Sequence, residues 1–361
     1  MDLDAAALAA FARGCALLGS GGGGPVSVTL PVAAQALQEC GPVRIADPRE
    51  LPGDALVMPF SLVGSPAVAA ERIGSRDEPA RLRDRVEHLH GRPVAAVLCS
   101  EIGGLNGPAA LAWAARLGLP LLDADSMGRA FPRMNQNVLE LAGLRPGPAV
   151  LLDEHGHTAV LDHVDGAHLE LLVRGVVDAL GGRAASSDYP LTAALAAAHA
   201  VPGTVTRALA LGRGEVPAPL LTGKVAELRR TAEATHVLLQ GTGEDDGRLL
   251  RLEARSEFLA VVEDGACRAL VPDVISLVDS RTGWALPVEE VRYGLRVALH
   301  VLPGAPAWYT PAGLALGGPA AFGLHGLTRP APTDRLGPAP SPHAPGAPTR
   351  PPGTAPTGGA S

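Results

Sequence analysis

The sequence predicts an α/β domain with a mostly parallel sheet, then a small all-β domain, then a disordered tail. Three observations lead to this expectation. In the first half of the chain, short apolar runs alternate with helical segments, which is typical of a three-layer α/β/α domain. From Leu220 onward, short alternating strands are separated by turns rich in Gly and Asp, which favours a β-barrel. After about Thr328 the composition is too poor in apolar residues to offset chain entropy.

The length and composition set further bounds. A chain of 361 residues fits two ordinary domains, which we place at 1–166 and 167–328, with the tail at 329–361. The formal net charge is -7 and the basic residues are scattered, which argues against nucleic-acid binding. No apolar run reaches the roughly 18 to 20 residues that span a bilayer. The acidic N-terminus and four widely spaced cysteines favour a reduced, cytoplasmic protein.

The hydrophobic periodicity predicts each element in turn. The first domain should contain helices and strands at Ala5–Leu18, Thr29–Glu39, Asp54–Pro59, Arg76–His90, Pro93–Cys99, Ala109–Leu117 and Pro120–Leu122, then a hairpin of Ala149–Leu152 and Thr158–Leu161. The second part should contain the helices Ala167–Leu180 and Pro202–Leu211 and the strands Gly223–Arg229, His236–Gln240, Leu249–Ala254, Phe258–Glu263, Ala269–Val271, Val274–Asp279 and Arg296–Leu302.

A run of six small residues, Gly19 to Gly24, follows the first helix. It formally matches G-x-G-x-x-G, but a dinucleotide fingerprint requires a strand before the glycines, and here a helix precedes them. A flexible linker is one interpretation. We prefer an anion-binding nest, in which the backbone N–H groups of Gly21, Gly22, Gly23 and Gly24 bind the substrate, because a turn alone needs fewer glycines.

Polar side chains follow the strands that end at Cys99 and Leu122. The first loop, Ser100–Gly107, contains Glu101 and Asn106; the second run, Asp123–Pro132, contains Asp123, Asp125 and Arg129. If the strands are parallel, these loops and Phe60–Pro66 meet at the carboxyl edge of the sheet, where open α/β folds bind ligands. Each carboxylate alone could be a helix N-cap or a solvated side chain. Together they predict a site.

The chemistry predicted for this site is hydrolysis. Glu101, Asp123 or Asp125 could act as a general base on water, or Asp123 and Asp125 could hold a divalent metal that activates it. Arg129 could pair with a substrate carboxylate, and the glycine amides could stabilise a tetrahedral intermediate. A metal at His155, His157 and His163, or a nucleophilic Cys99, is less favoured than a solvated turn and plain packing.

Several stretches resemble the S-methyl thiohydantoin desulfurase-like family, and together they cover nearly everything except the tail. They are Gly14–Gly24, Glu101–Asn106, Asp123–Pro132, Pro202–Gly212, Pro272–Asp279, Arg292–Val297 and Gly318–Gly323. The resemblance implies an N-terminal three-layer α/β domain and a C-terminal β-barrel. It also implies water attack on the thiocarbonyl or S-methyl carbon of a thiohydantoin ring, and a hydantoinase or oxoprolinase partner.

The chain departs from the pattern of the family at Pro25 and Arg133, where acidic residues are usual, and at Ala254–Phe258. These departures leave an alternative open, in which the protein is a non-catalytic binding or accessory subunit of a hydantoinase/oxoprolinase system. The sequence carries no interface signal, and a homo-oligomer is only the default expectation.

Overall fold

Two sheets organise this protein in a computed structural model, which describes residues 1–330. The predicted tail therefore lies outside the described residues from position 331 onward. Within residues 1–330, none of the helices combines the length and the apolar character needed to cross a bilayer.

The first sheet and its helices occupy the chain up to Gly212. Their order is β1 (Asp2–Leu3), α1 (Ala5–Leu18), α2 (Leu30–Cys40), β2 (Val43–Ala46), β3 (Leu56–Gly64), α3 (Pro66–Glu71), α4 (Glu78–His90), β4 (Val94–Cys99), α5 (Asn106–Leu117), β5 (Leu121–Asp125), α6 (Val138–Leu141), β6 (Ala149–Leu152), β7 (Thr158–Leu161), α7 (Gly166–Ala179), β8 (Arg183–Ser187), β9 (Leu191–Thr192), α8 (Ala193–His199), β10 (Val201–Pro202) and α9 (Thr204–Gly212).

The first sheet is mixed rather than mostly parallel. Its main path runs β1-β2-β5-β4-β3-β8-β6-β7, and only β2, β5, β4 and β3 pair in parallel. The β6–β7 hairpin and β8 return antiparallel beside β3, and the short strands β1, β9 and β10 also pair antiparallel. The predicted loop Phe60–Pro66 is corrected for the same reason: β3 continues to Gly64, where it pairs with Arg183 of β8. An apolar run predicts a buried strand but does not encode the direction of its neighbours.

The second sheet confirms the all-β part of the prediction. It contains β11 (Leu221–Arg230), β12 (Thr235–Gly241), β13 (Leu249–Ala254), β14 (Phe258–Glu263), β15 (Ala266–Leu270), β16 (Val274–Asp279) and β17 (Arg296–Leu302), and α10 (Pro311–Gly317) follows it. Every pairing is antiparallel, in the order β15-β14-β13-β12-β11-β17-β16, and the sheet curls around an apolar core. Alternate residues of β11 and β13 are buried in that core, as their period-two pattern requires.

The run after α1 connects the two sheets through backbone hydrogen bonds. The N–H of Phe258 donates to the carbonyl of Ser20 at 2.7 Å, and the N–H of Val288 donates to the carbonyl of Gly21 at 2.9 Å. The hydroxyl of Ser20 accepts from the N–H of Ile275 at 3.0 Å and lies 3.0 Å from the carbonyl oxygen of Ile275. The C-terminal end of α1 is thereby fixed against β14 and β16.

Helices α1 and α9 cross closely because both carry glycine at the contact. A Cβ atom added at Gly14 would lie 1.7 Å from the carbonyl oxygen of Ala208, and one added at Gly212 would lie 1.7 Å from that of Ala10. Any side chain at either position would force the helices apart. This crossing supports the glycine run that begins directly after α1.

We predict that Gly14→Ala lowers the free energy of unfolding by about 2 kcal/mol, as overpacking typically does. The matched control is Gly175→Ala in α7, where the glycine is exposed and an added Cβ meets no atom within 4 Å. That change should stabilise the chain by up to about 1 kcal/mol through helix propensity. Guanidinium unfolding followed by circular dichroism measures both variants, and equal effects would contradict the close crossing.

Candidate functional site

A cleft of about 450 Å³ lies where the first sheet meets the β13–β14 turn. Its polar wall comes from distant parts of the chain, namely Glu101, Asn106, Arg133, Arg174, Ser256 and Glu257. Gly23 and Gly24 of the glycine run complete the wall. We call this space the carboxyl cleft.

Glu101 lies on the loop after β4, as the sequence predicts, and it faces the carboxyl cleft with a side chain that is almost fully buried. One carboxyl oxygen accepts from the amide nitrogen of Asn106 at 2.8 Å, and the other from the N–H of Phe131 at 3.1 Å. Burial raises the pKa of Glu101 to about 8, against the opposing effect of these donors. Asn106 lines the cleft as well, so the structure brings these two predicted residues together.

Glu257 is a site residue that sequence reasoning missed. It lies at the turn between β13 and β14, is 2% exposed, and accepts a hydrogen bond from the hydroxyl of Ser256 at 3.0 Å. Burial raises the pKa of Glu257 to about 7, and the negative charge of Glu257 further raises the pKa of Glu101. The only signal was the departure from the family pattern at Ala254–Phe258, which by itself does not reveal a contact with the first sheet.

The glycine run is divided between two spaces. Gly23 and Gly24 line the carboxyl cleft, whereas Gly21, Gly22 and Gly24 line a second cavity. A Cβ added at Gly22 would lie 2.5 Å from a carboxyl oxygen of Glu257, so the missing side chain leaves the room that this carboxyl fills. The anion-binding role expected for the four glycines stays a prediction.

Asp125 is placed outside the cleft. It is completely buried, and it accepts from the N–H groups of Ile102 at 2.9 Å and Gly128 at 2.8 Å. Burial raises its pKa to about 7. Because Ile102 follows Glu101 directly, this carboxyl fixes the loop that presents Glu101.

Asp123 is also placed outside the cleft, at the first turn of α9. Its two carboxyl oxygens accept from the N–H of Thr206 at 2.9 Å and from the hydroxyl of the same residue at 2.5 Å. Its backbone carbonyl accepts from the N–H of Gly203. The residue therefore acts on α9 in the way a helix cap does.

These contacts do not fit the divalent metal expected at Asp123 and Asp125. All four oxygens of the pair already accept hydrogen bonds from the chain itself. Among residues 1–330, no group of three or more His, Cys, Asp or Glu side chains is arranged to hold a metal ion, and His155, His157 and His163 are no exception.

Arg129 lies behind the wall of the cleft rather than in it. Its guanidinium is completely buried, donates to the carbonyls of Ala130 and Asp273, and lies 4.9 Å over the ring of Phe131. Burial lowers its pKa to about 10, although the charges of Glu257 and Glu101 oppose that effect. One terminal nitrogen has no hydrogen-bond partner within the described part of the chain. Arg129 is thus a buried cation close to both cleft carboxyls.

Three other arginines reach the cleft, and they differ in how far they are already paired. Arg183 is neutralised by Glu78, at 2.8 and 3.1 Å. Arg174 is anchored on Glu170 and on the carbonyl of Pro132. Arg133 is exposed, and its guanidinium makes no hydrogen bond or ion pair with any residue from 1 to 330. Arg133 therefore gives the rim of the cleft a positive charge, whereas Glu170 already balances the charge of Arg174.

Cys99 is completely buried, and its thiol lies 3.1 Å from the carbonyl oxygen of Glu101. Burial raises the pKa of the Cys99 thiol well above its ordinary value, which disfavours the nucleophilic thiolate. This is the environment of a packed cysteine.

Comparisons with known proteins agree with this architecture. The model of the S-Me-THD-like N-terminal domain matches residues 6–163, and that of the S-Me-THD-like C-terminal domain matches residues 214–331. The two matches cover most of the chain. A crystal structure of a protein from Chromobacterium violaceum has the same fold, with a TM-score of 0.75 and 24% identity over 92% of this chain and 100% of that one. No curated protein matches at a significant level.

We predict that Glu101→Gln changes the pH dependence of stability. Burial raises the pKa of Glu101 from an ordinary 4.5 to about 8, so between these pH values the folded chain holds a proton that the unfolded chain has released. As the pH rises through that range, the free energy of unfolding of the wild type should fall by about 1.4 kcal/mol per pH unit relative to that of the variant. Denaturant unfolding from pH 5 to pH 8 measures the difference, and two parallel curves would show that Glu101 is not buried as a neutral acid.

Proposed function

The chain belongs to the S-Me-THD-like family, and on this premise we propose that it hydrolyses a carbon–sulfur bond in a small thiohydantoin-like ring. One observation carries the proposal: Glu101 and Glu257 meet at the same cleft with pKa values of about 8 and 7. Two carboxyls with separated pKa values near neutrality suit general acid–base catalysis at physiological pH.

The lower pKa of Glu257 assigns it the role of base. It takes a proton from water, and the water oxygen bonds to the ring carbon that carries the methylthio group. The carbon–sulfur bond then breaks, and Glu101, which keeps its proton to higher pH, protonates the departing thiolate. One water proton ends on the ring nitrogen, and the other replaces the proton that Glu101 gave up. The products are the oxygenated ring and methanethiol.

The arginines divide into two roles. Arg133 on the rim pairs with a carboxylate on the side arm of the substrate, the task first expected of Arg129. Arg129 instead favours the charged form of Glu257 from behind the wall, which keeps this carboxyl available as a base. Asn106 orients Glu101 through the hydrogen bond at 2.8 Å.

The alternative is a non-catalytic subunit of a hydantoinase or oxoprolinase system. The unpaired Arg133 at the rim favours it, because a binding subunit needs the charged rim but no acid–base pair. The two functions separate experimentally, since a binding subunit takes up the ring without releasing thiol, with or without its partner.

We predict that Glu101→Gln and Glu257→Gln each lower kcat by about a hundredfold or more, which is typical for loss of a general acid or base. The assay follows methanethiol released from S-methyl thiohydantoins that carry a carboxylate arm, with and without a hydantoinase-type partner. Asp123→Asn is the matched control, because within residues 1–330 this carboxyl hydrogen-bonds only to Thr206, outside the cleft, and the rate of the variant should stay at the wild-type level. Loss of turnover in the control alone would overturn the assignment.

We predict that Arg133→Ala raises KM by about tenfold with little change in kcat, since an ion pair at the rim holds ground state and transition state alike. Arg133→Lys should recover part of the loss, because a single ammonium keeps the charge but not the bidentate geometry. Steady-state kinetics on substrates with and without the carboxylate arm measures both effects. An equal KM change for the two substrates would contradict the pairing.

A further inference from the structure

A second cavity lies against the glycine run and is not part of the carboxyl cleft. Its volume is about 220 Å³, and it is lined by Gly21, Gly22, Val26, Trp284, Leu286 and Glu290, among others. Gly24 borders both spaces. We call this space the tryptophan cavity.

The lining of the tryptophan cavity is mostly apolar. Val26 is buried, and Trp284 and Leu286 are half-buried, so their open surfaces face the space. The guanidinium of Arg13 lies 5.4 Å from the centre of the Trp284 ring and helps to fix it, but Arg13 does not line the cavity. A ligand with an apolar body would remove this surface from water, and the gain follows the area covered.

Among the described residues that line the cavity, only Glu290 has an ionisable side chain. It is exposed, and its carboxylate makes no hydrogen bond or ion pair with any residue from 1 to 330. A negative charge at the edge of an apolar space favours a ligand with a positive end and disfavours an anion. The charge of this cavity is thus opposite to that of the arginine rim of the carboxyl cleft.

The size of the cavity limits the ligand. A dry apolar cavity of about 150 Å³ is enough to bind benzene in another protein. The tryptophan cavity is somewhat larger, so it has room for one ring and a short arm.

We propose that the tryptophan cavity binds a small apolar amine. The apolar body lies on Trp284 and Leu286, and the ammonium group pairs with Glu290. Gly22 lines this cavity and lies against Glu257, and Gly24 borders both spaces, so the bound amine lies against the same glycine run as the carboxyl cleft.

Calorimetry on the full chain tests the site with three compounds of one skeleton: 2-phenylethylamine, ethylbenzene and phenylacetate. The amine should bind about three- to fivefold more tightly than ethylbenzene, the range of an exposed ion pair, and phenylacetate should bind most weakly. Glu290→Gln, a change at an exposed side chain, should remove the preference for the amine. Equal binding of amine and phenylacetate, or no binding of the amine, would overturn the proposal.

A matched pair of variants locates the binding. Ala285→Leu fills the tryptophan cavity and should weaken binding of the amine by at least about tenfold, or 1.4 kcal/mol. Ala69→Leu makes the same change in the carboxyl cleft and should leave the affinity unchanged. Loss of binding in Ala69→Leu with retention in Ala285→Leu would place the amine in the cleft and refute the second site. Circular dichroism checks that both variants fold. If either fails to fold, the comparison of wild type with Glu290→Gln still tests the proposal.

Discussion

The small size of the glycine run, in which only Ser20 carries a side chain, is the constraint on which the rest of the structure depends. This stretch passes between the two sheets with no space for a Cβ: one at Gly23 would lie 2.5 Å from the carbonyl oxygen of Gly103, and one at Gly22 equally close to Glu257. Because the glycines on either side of Ser20 allow this close approach, Ser20 hydrogen-bonds to Phe258 through its carbonyl and to Ile275 through its hydroxyl. Those bonds hold the second sheet where Glu257 reaches the cleft that contains Glu101.

Burial raises the pKa values on which the chemistry of the site depends, and it also destabilises the fold because it removes carboxyls from water. Glu101, Glu257 and Asp125 are all buried, and desolvation raises the pKa of each. The backbone N–H groups that bind Glu101 and Asp125 offset part of this cost and fix the loops. Acid–base groups poised near neutrality therefore depend on a rigid scaffold that tolerates neutral or partly charged carboxyls in its interior.

Local patterns predicted many elements closely, and the missed strand β8 shows what they leave out. The helix Ala5–Leu18 and the strands Leu249–Ala254 and Phe258–Glu263 have the bounds expected from the sequence. The first two bury one face in a core, and the third is a short apolar run buried on both faces. The strand β8 was missed because Arg183–Ser187 is largely polar or small. It is a strand because β3 and β6 pair with both its edges, and that pairing is long-range.

The sequence by itself determined the glycine run, the loop after β4 and the presence of Glu101 and Asn106 at the carboxyl edge of the sheet. A strand followed by a polar loop is a local signal, and the edge at which parallel strands end follows from it. Only the tertiary structure decided that Asp123, Asp125 and Arg129 turn away from the cleft, and that Glu257 enters it. The direction of a side chain depends on the partners that other segments bring to it, here Thr206, Gly128 and Asp273, and local sequence does not record those partners.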